Sequence, residues 1–266
     1  MNGQFGIGEA AVWRSCGCRQ ILGMRVDATS YPGAVGQVTA WAGRAQSRYV
    51  CVATVNNVME AYDSEEFRSI MNSADLVTSD GMPLVWGLRL LGERNATRVY
   101  GPDLMPAVLA AAERMGLPVG LYGGSPEVLQ KLSLAVKRRY PALSVVYAWS
   151  PPFRPLTEEE DERVVAEITA SGARIVFVGI STPKQERWMR DHRGRVPAVM
   201  LGVGAAFDFL AGEKRQAPRW MRNAGLEWLF RLASEPRRLW RRYLHHNPRF
   251  LAIFTLQLLG LRRFPV

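Results

Sequence analysis

The chain contains few cysteines and few histidines for its length. Among 266 residues there are three of each, and two of the cysteines, Cys16 and Cys18, are separated by a single residue. An odd number at this spacing fits neither a disulfide framework nor a zinc site. The histidines form no cluster with the spacing of metal ligands. We therefore expect reduced thiols in a cytoplasmic protein without bound zinc.

Long hydrophobic runs are also absent. A helix that crosses a bilayer needs about 18 or more consecutive apolar residues, and no such run occurs. The first residues lack the basic start and following apolar stretch of a secretory signal, so we expect no such signal.

Two catalytic motifs are missing. There is no Asp-x-Asp, the usual carboxylate pair that holds Mg²⁺ or Mn²⁺ beside a nucleotide diphosphate. There is no G-x-S-x-G elbow, so a serine hydrolase is unsupported. An enzyme without a metal ion must stabilise a diphosphate leaving group with cations and backbone N–H groups, and arginine is suited to this because it stays charged and can donate in pairs.

The positive charge is concentrated at one end of the chain. From Glu213 onward there are 12 Lys and Arg against three Asp and Glu, whereas the preceding residues are almost balanced. This basic segment attracts nucleic acid, anionic lipid or a phosphorylated ligand. A solvated face without a partner is the simpler alternative, but a purely solvated face has no use for the interspersed Trp220, Trp228, Phe230, Trp240 and Tyr243.

Short apolar runs alternate with segments of helical pattern up to about residue 210. This alternation predicts an α/β fold, a Rossmann-like and mostly parallel sheet with helices on both faces. The predicted strands are Tyr49–Thr54, Leu76–Thr78, Pro118–Tyr122, Leu143–Tyr147, Arg174–Gly179 and Ala198–Gly202, and the clearest helices are Pro102–Met115, Pro126–Tyr140 and Thr157–Ser171.

The pattern divides the chain into a catalytic domain over residues 1–210 and a helical appendage over residues 211–266. We expect breaks in the appendage helices at Pro218, Gly225, Pro236 and Pro248. Its last segment, Phe250–Leu261, is apolar but too short to cross a membrane. We expect it at the membrane interface; docking onto the domain or onto a second subunit is the alternative.

Three predicted strand ends lead directly into helices. They are Gly123-Gly124-Ser125, Thr182-Pro183-Lys184-Gln185, and the Gly202–Asp208 loop that contains Gly204. Thr182 is a natural N-cap and Pro183 a natural first helical residue. Helix N-termini bind phosphate, so the three together predict a nucleotide site. The last loop resembles a dinucleotide loop, but Phe207 stands where the third glycine belongs.

Polar residues also follow the other strands. Asp80 comes after a strand and precedes Gly81, and is equally well interpreted as a general base or as a turn-capping residue. Thr54 and Asn56 follow the neighbouring strand, and Arg98 lies downstream. From the residues alone, three functions stay open: a nucleotide-sugar transferase, a nicotinamide-dependent oxidoreductase, and a non-catalytic module that binds anionic lipid or nucleic acid.

Several long motifs in a fixed order narrow the choice. They are TSDGMPLVWGLRLLG, RVYGPDLM, LYGGSPEV, VGISTPKQERWM, GVGAAFDFLAGEKRQAPRWMRNAGLEWLFRL and EPRRLWRRYLHHNPRFL. Through them the chain resembles the WecG/TagA/CpsF family of bacterial glycosyltransferases from about Arg48 to Phe250. No residue role is carried over to the first 45 residues.

The resemblance implies an inverting, metal-independent transferase without cofactor. It implies a UDP-sugar donor and an acceptor saccharide linked to undecaprenyl pyrophosphate, at the cytoplasmic membrane face. Nucleic acid is not an expected partner. The resemblance also implies a homo-oligomer whose formation competes with docking of the appendage. By position, Asp80 is the implied base, Thr54 and Gln185 are the implied polar residues that help to position the sugar, and Arg98 matches an arginine of the active site. The implied arginines for the pyrophosphate are Arg231, Arg238 and Arg241.

Overall fold

A computed structural model describes residues 17–264, apart from the side chains of Arg219, Asn223, Arg238 and Arg242. The chain begins with a hairpin, β1 (Cys18–Ile21) and β2 (Met24–Asp27). The other strands are β3 (Arg48–Ala53), β4 (Leu76–Ser79), β5 (Val119–Gly123), β6 (Val145–Trp149), β7 (Ile175–Gly179) and β8 (Val199–Gly202).

Helices fill the intervals between the strands. Up to the end of β8 they are α1 (Tyr31–Gly43), α2 (Val55–Asp63), α3 (Glu65–Asn72), α4 (Met82–Leu90), α5 (Gly101–Met115), α6 (Pro126–Arg139), α7 (Glu158–Ser171) and α8 (Lys184–Asp191). After β8 come α9 (Ala206–Leu210), α10 (Arg219–Asn223), α11 (Glu227–Ser234) and α12 (Pro236–Leu258).

The six strands β3 to β8 form one parallel sheet in the order β4-β3-β8-β7-β5-β6. The predicted α/β class and all six predicted strands are confirmed, with boundaries that differ by one or two residues. The hairpin β1–β2 was not predicted. Because it is antiparallel and short, it lacks the run of apolar residues by which the buried strands are recognised.

Side chains alternate between two hydrophobic cores, one on each face of the sheet. Along β3, Tyr49 and Cys51 belong to one core, and Val50 and Val52 belong to the other. This period of two follows from the pleat of a strand. Because both faces are covered, the carboxyl edge of the sheet is where a ligand can reach the strand ends.

The appendage helix α12 docks onto the domain, so the predicted break at Pro248 is wrong. The helix continues through this proline, and Phe250 and Phe254 enter the core beneath the hairpin. Gln257 donates through Nε2 to the Gln20 carbonyl at 2.7 Å and accepts from the Leu22 N–H at 2.9 Å. These contacts on one face explain why the helix persists despite the hydrogen bond that the proline removes.

The other face of α12 stays apolar and uncovered. Its exposed side chains include Leu244, Leu251, Leu258 and Leu259. No helix in the described part of the chain is long and apolar enough to cross a membrane. One face of α12 therefore docks onto the domain, as the alternative prediction stated. That the other face lies at a membrane remains a prediction.

We expect this docking to contribute measurably to stability. Phe254 is 6% exposed, whereas Leu251, one turn earlier on the same helix, is 63% exposed. Phe254→Ala should lower the free energy of unfolding in urea by about 3–5 kcal/mol, because it leaves a cavity in the core. Leu251→Ala is the matched control and should change it by less than about 0.5 kcal/mol. Equal effects would mean that α12 is not docked in solution.

Candidate active site

The carboxyl ends of five neighbouring strands place polar residues in a row. In the order of the strands across the sheet, these are Asp80 after β4, Thr54 after β3, Gly204 after β8, Thr182 after β7 and Gly124 after β5. Residues more than 120 positions apart in sequence thereby line one cleft. All five belong to the predicted site.

Asp80 is held at the start of this row by both backbone and side chain. Its N–H donates to the Ala53 carbonyl at 2.9 Å, which ties it to the neighbouring strand. Its Oδ2 accepts from the Gly101 N–H, at the start of α5, at 3.4 Å. Its Oδ1 lies 3.4 Å from Arg98 Nη2. The carboxylate therefore faces the cleft in a defined orientation, and it caps no helix of its own.

Arg98 is shared between Asp80 and the appendage. Its Nε donates to the main-chain carbonyl of Asp80, and its guanidinium lies 4.3 Å from the ring centroid of Tyr100. Its closest carboxylate is Glu227 on α11, with Nη2 to Oε2 at 2.6 Å. Since this is shorter than the 3.4 Å contact with Asp80, the guanidinium is paired first with Glu227.

Burial, and to a smaller extent the negative charge of Glu227, raises the pKa of Asp80 to about 6. The positive charges of Arg98 and Arg231 and the Gly101 N–H oppose this shift without cancelling it. A carboxylate with a pKa near the working pH is a better proton acceptor than an ordinary surface aspartate. This environment favours the interpretation of Asp80 as a general base.

Two cavities meet at Asp80. Both are lined by Thr54, Asn56, Asp80 and Arg231. The first is polar and extends over the ends of β8 and β7; its other lining residues include Tyr100, Thr182, Gln185 and Gly204. The second is largely apolar and lies beneath the appendage; its other lining residues include Met82, Glu227, Trp228, Tyr243 and His246. Asp80 thus stands where contents of the two cavities would meet.

The segment after β7 differs from its prediction. Helix α8 begins at Lys184, so Pro183 occupies the N-cap position after a cis peptide bond and is not the first helical residue. Thr182 lies one residue before the N-cap, and its hydroxyl donates to Glu186 Oε1 at 2.8 Å. Lys184 is exposed, while Gln185 is buried and lines the polar cavity. The N-cap prediction is wrong because the helix begins at Lys184, one residue later than predicted.

The segment after β5 is arranged mainly for packing. Gly123 has a φ of 126°, and a Cβ there would lie 2.6 Å from the backbone of Gly179, so the glycine allows two strand ends to approach. Ser125 caps α6 by accepting from the Val128 N–H. Only Gly124 lines a neighbouring cavity, which Asp208 also lines.

The three predicted arginines of the appendage differ in their position relative to the two cavities. Arg231 lines both cavities at Asp80. Arg241 is exposed, and its guanidinium lies 5.3 Å from the ring centroid of Trp240. The side chain of Arg238 lies outside the described residues. The expected contact with a pyrophosphate is therefore best placed for Arg231.

One cluster among the described residues offers three metal-ligand side chains, Asp63, His245 and His246. Arg249 already pairs with two of the three, with Nη2 and Nη1 at 2.7 and 2.9 Å from the two Asp63 oxygens and Nη1 at 3.0 Å from His245 Nε2. A cation in that place disfavours a metal ion. The expectation of a metal-free enzyme stays a prediction.

Two buried carboxylates at the site were not predicted. Glu227 pairs with Arg98, and Glu186 accepts hydrogen bonds from Asn57, Thr182 and Gln185. Both lie inside motifs that were recognised, GLEWLFRL and TPKQERW, so their proximity to selected residues was a usable signal. The sequence analysis assigned neither residue a part, because burial is not visible in a single sequence.

The chain matches the model of a known protein family. The model of the glycosyl transferase WecG/TagA/CpsF family matches residues 19–264. The match begins and ends beyond the resemblance inferred from motifs, and it includes the hairpin except Cys18 and all of α12. It selects the transferase among the three functions left open by the residues alone. The chain therefore belongs to the WecG/TagA/CpsF family of glycosyltransferases, which serves the biosynthesis of cell-surface polysaccharides.

Proposed function

We propose that this enzyme transfers a hexose or an N-acetylhexosamine-type sugar from a UDP-sugar to a saccharide linked to undecaprenyl pyrophosphate. The observation that carries the proposal is the position of Asp80 between a polar and an apolar cavity. The polar cavity over the strand ends suits the donor. The apolar cavity beneath the basic appendage suits the lipid-linked acceptor.

The proposed reaction is a single displacement. Asp80 removes the proton from the attacking hydroxyl of the acceptor, whose oxygen forms a bond to the anomeric carbon of the donor. The bond between that carbon and the diphosphate oxygen breaks on the opposite face, and the electron pair leaves with UDP, so the configuration inverts. The proton remains on Asp80 until solvent takes it.

The leaving diphosphate needs positive charge. Arg231 lines both cavities, and arginine stays protonated and donates in pairs to phosphate oxygens. Arg98 has a different part, because Glu227 already engages it at 2.6 Å. We assign Arg98 to the placement of Asp80 and Arg231 to the diphosphate, without a metal ion.

The appendage is the proposed contact with the cytoplasmic membrane face. Its basic residues attract anionic headgroups, and the uncovered leucines of α12 and Trp240 offer an apolar face to the interface. This arrangement brings the prenyl carrier to the apolar cavity. A homo-oligomer that competes with docking of the appendage remains part of the proposal.

The direct test measures transfer. The enzyme is incubated with a panel of UDP-sugars and a synthetic polyprenyl-pyrophosphate acceptor, in detergent, with EDTA present. We expect one UDP-sugar to yield a product of inverted anomeric configuration, with turnover unaffected by EDTA. Loss of turnover on chelation, or a product of retained configuration, would contradict the proposal.

The pH dependence should report the ionisation of Asp80. Its pKa is raised to about 6, mainly by burial, and the base acts only when deprotonated. We therefore expect kcat/KM to fall as the pH drops through about 6 and to level off above it. Glu227→Gln removes a charge that raises this pKa and releases Arg98 toward Asp80, so the acidic limb should move to lower pH. A limb that stays in place in Glu227→Gln would contradict this coupling.

A further inference from the structure

Helix α4 carries an apolar stripe on its outer face. Met82, Trp86 and Leu90 follow one another at intervals of four residues, so they lie on the same side of the helix. Trp86 is 48% exposed and Leu90 is 66% exposed. Leu84 and Leu88, on the inner face, are buried in the core. The helix is therefore held by its inner face, and the α4 stripe is not needed to pack it onto the sheet.

The α4 stripe begins inside the apolar cavity. Met82 lines that cavity, and so does Gly225 of the appendage. A Cβ on Gly225 would lie 3.1 Å from the Cβ of Met82 and 3.2 Å from Cη2 of Trp86. The appendage thus covers the first two members of the stripe closely. Because exposure rises from Met82 through Trp86 to Leu90, the stripe leads out from under the appendage to the surface.

The direction of the helix also points away from the reacting centre. Asp80 precedes Met82 by two residues, and α4 starts at Met82. The rise of an α-helix places Leu90 about 12 Å beyond Met82 along the axis. An extended chain bound to the stripe would therefore run from the neighbourhood of the base to the outside of the protein.

The side of the same cavity that α12 lines is polar. Its residues there are His246 and Asn247. His246 adjoins Asp63, which forms an ion pair with Arg249 at 2.7 Å. Covering charged groups with hydrocarbon is unfavourable, so an aliphatic chain is better placed along α4 than along this part of α12.

Positive charge accompanies the outer end of the stripe. Arg89 and Arg94 are exposed and close to Leu90 in sequence, and α4 itself contains no Asp or Glu. Glu93 is paired with Arg19, with Oε1 and Nη2 at 2.8 Å. Because cationic side chains attract anionic headgroups, the end of the stripe suits the surface of an anionic membrane.

We propose that the α4 stripe binds the polyprenyl chain of the acceptor on its way from the apolar cavity to the membrane. Covering Trp86 and Leu90 with an isoprenoid chain removes apolar surface from water, which favours binding. The inference rests on the proposed function and deepens it, because it assigns part of acceptor binding to α4 in addition to the appendage.

The first test locates the chain directly. A polyprenyl-pyrophosphate-linked saccharide with a diazirine on its third isoprene unit is irradiated with the full-length enzyme in detergent, and the labelled peptide is identified by mass spectrometry. We expect labelling within residues 82–90. Labelling confined to α11 or α12, or the absence of label on α4, would overturn the inference.

The second test uses the length of the prenyl chain as a ruler. For Leu90→Gln we expect KM for the longest acceptor to rise about five- to tenfold, KM for the shortest to stay within about twofold, and kcat to be unchanged. Leu134→Gln is the matched control, since Leu134 lies on α6, is 55% exposed and lines neither cavity at Asp80. An equal change in KM at every length, or no change for the longest acceptor, would count against the stripe.

Vesicle binding separates the prenyl chain from bilayer lipid. Acceptor-free wild type and Leu90→Gln are mixed with vesicles of phosphatidylglycerol and phosphatidylcholine and sedimented. We expect equal binding of the two proteins. Weaker binding of Leu90→Gln, together with an unaltered dependence of KM on chain length, would assign the stripe to the bilayer and contradict the inference.

Failure of the proposed function has a different signature. Labelling of α4 without any transfer of sugar would contradict the proposed reaction and leave the chain site intact. Transfer of sugar with labelling elsewhere would contradict the chain site alone.

Discussion

Asp80→Asn is expected to lower kcat by about 100- to 10,000-fold, the usual contribution of a positioned general base. Asparagine preserves the shape and can still accept from the Gly101 N–H, but it cannot take a proton from the acceptor hydroxyl. Donor affinity should be unchanged or slightly higher, because a negative charge near the diphosphate is removed. Initial rates at saturating donor and acceptor, with calorimetry of UDP-sugar binding, measure the two effects separately.

Asp191→Asn is the matched control for this substitution. Asp191 ends α8, is largely exposed, and lines neither cavity at Asp80. Its replacement should leave kcat within about twofold, since surface changes of this kind have small effects. Retained turnover in Asp80→Asn would remove this residue from the mechanism. If Asp80→Asn instead weakened donor binding and left turnover unchanged, Asp80 would be a residue that places the substrate.

Arg231→Ala should produce the second large effect, a loss of about 10- to 100-fold in kcat/KM. A hydrogen bond to a charged group contributes about 1.5–3 kcal/mol, and each 1.4 kcal/mol corresponds to a factor of ten. Arg231→Lys should recover part of the loss, because it restores the charge without the paired donors. Steady-state kinetics with a short, detergent-soluble prenyl acceptor give the comparison.

Arg241→Ala provides the control within the same appendage. Arg241 is exposed and lines neither cavity, so we expect kcat/KM within about threefold of the wild type under these conditions. The family resemblance alone gives both arginines the same part. Equal losses in the two variants would mean that the appendage closes further over the substrate than in this structure.

Much of the candidate site was predictable because parallel strands place their carboxyl ends together. Once the apolar runs were identified as strands, Asp80, Thr54 and Gln185 had to lie near one edge. The order of the strands was not available from the pattern. It is this order, β4-β3-β8-β7, that makes Thr54 a neighbour of Asp80 on one side and of Gly204 on the other.

The pairing of Arg98 with Glu227 shows where prediction from sequence ended. The two residues are 129 positions apart, with Arg98 just before α5 and Glu227 at the start of α11. Nothing in the residues around Arg98 or Glu227 indicates that they pair. Because the appendage docks, the Glu227 carboxylate lies closer to Arg98 than the Asp80 carboxylate does. The raised pKa of Asp80 has the same origin, because it depends on burial and on Glu227.

Composition, periodicity and motif order were sufficient for the α/β class, the basic helical appendage and the choice of Asp80, since these depend on patterns that are local or repeated along the chain. The continuation of α12 through Pro248, the inward direction of the Thr182 hydroxyl and the convergence of three donors on Glu186 depend on contacts between distant segments. Such contacts exist only when the chain is folded, because burial changes which hydrogen bonds and charges are favourable. The tertiary structure therefore decided how this edge presents its polar atoms to a substrate.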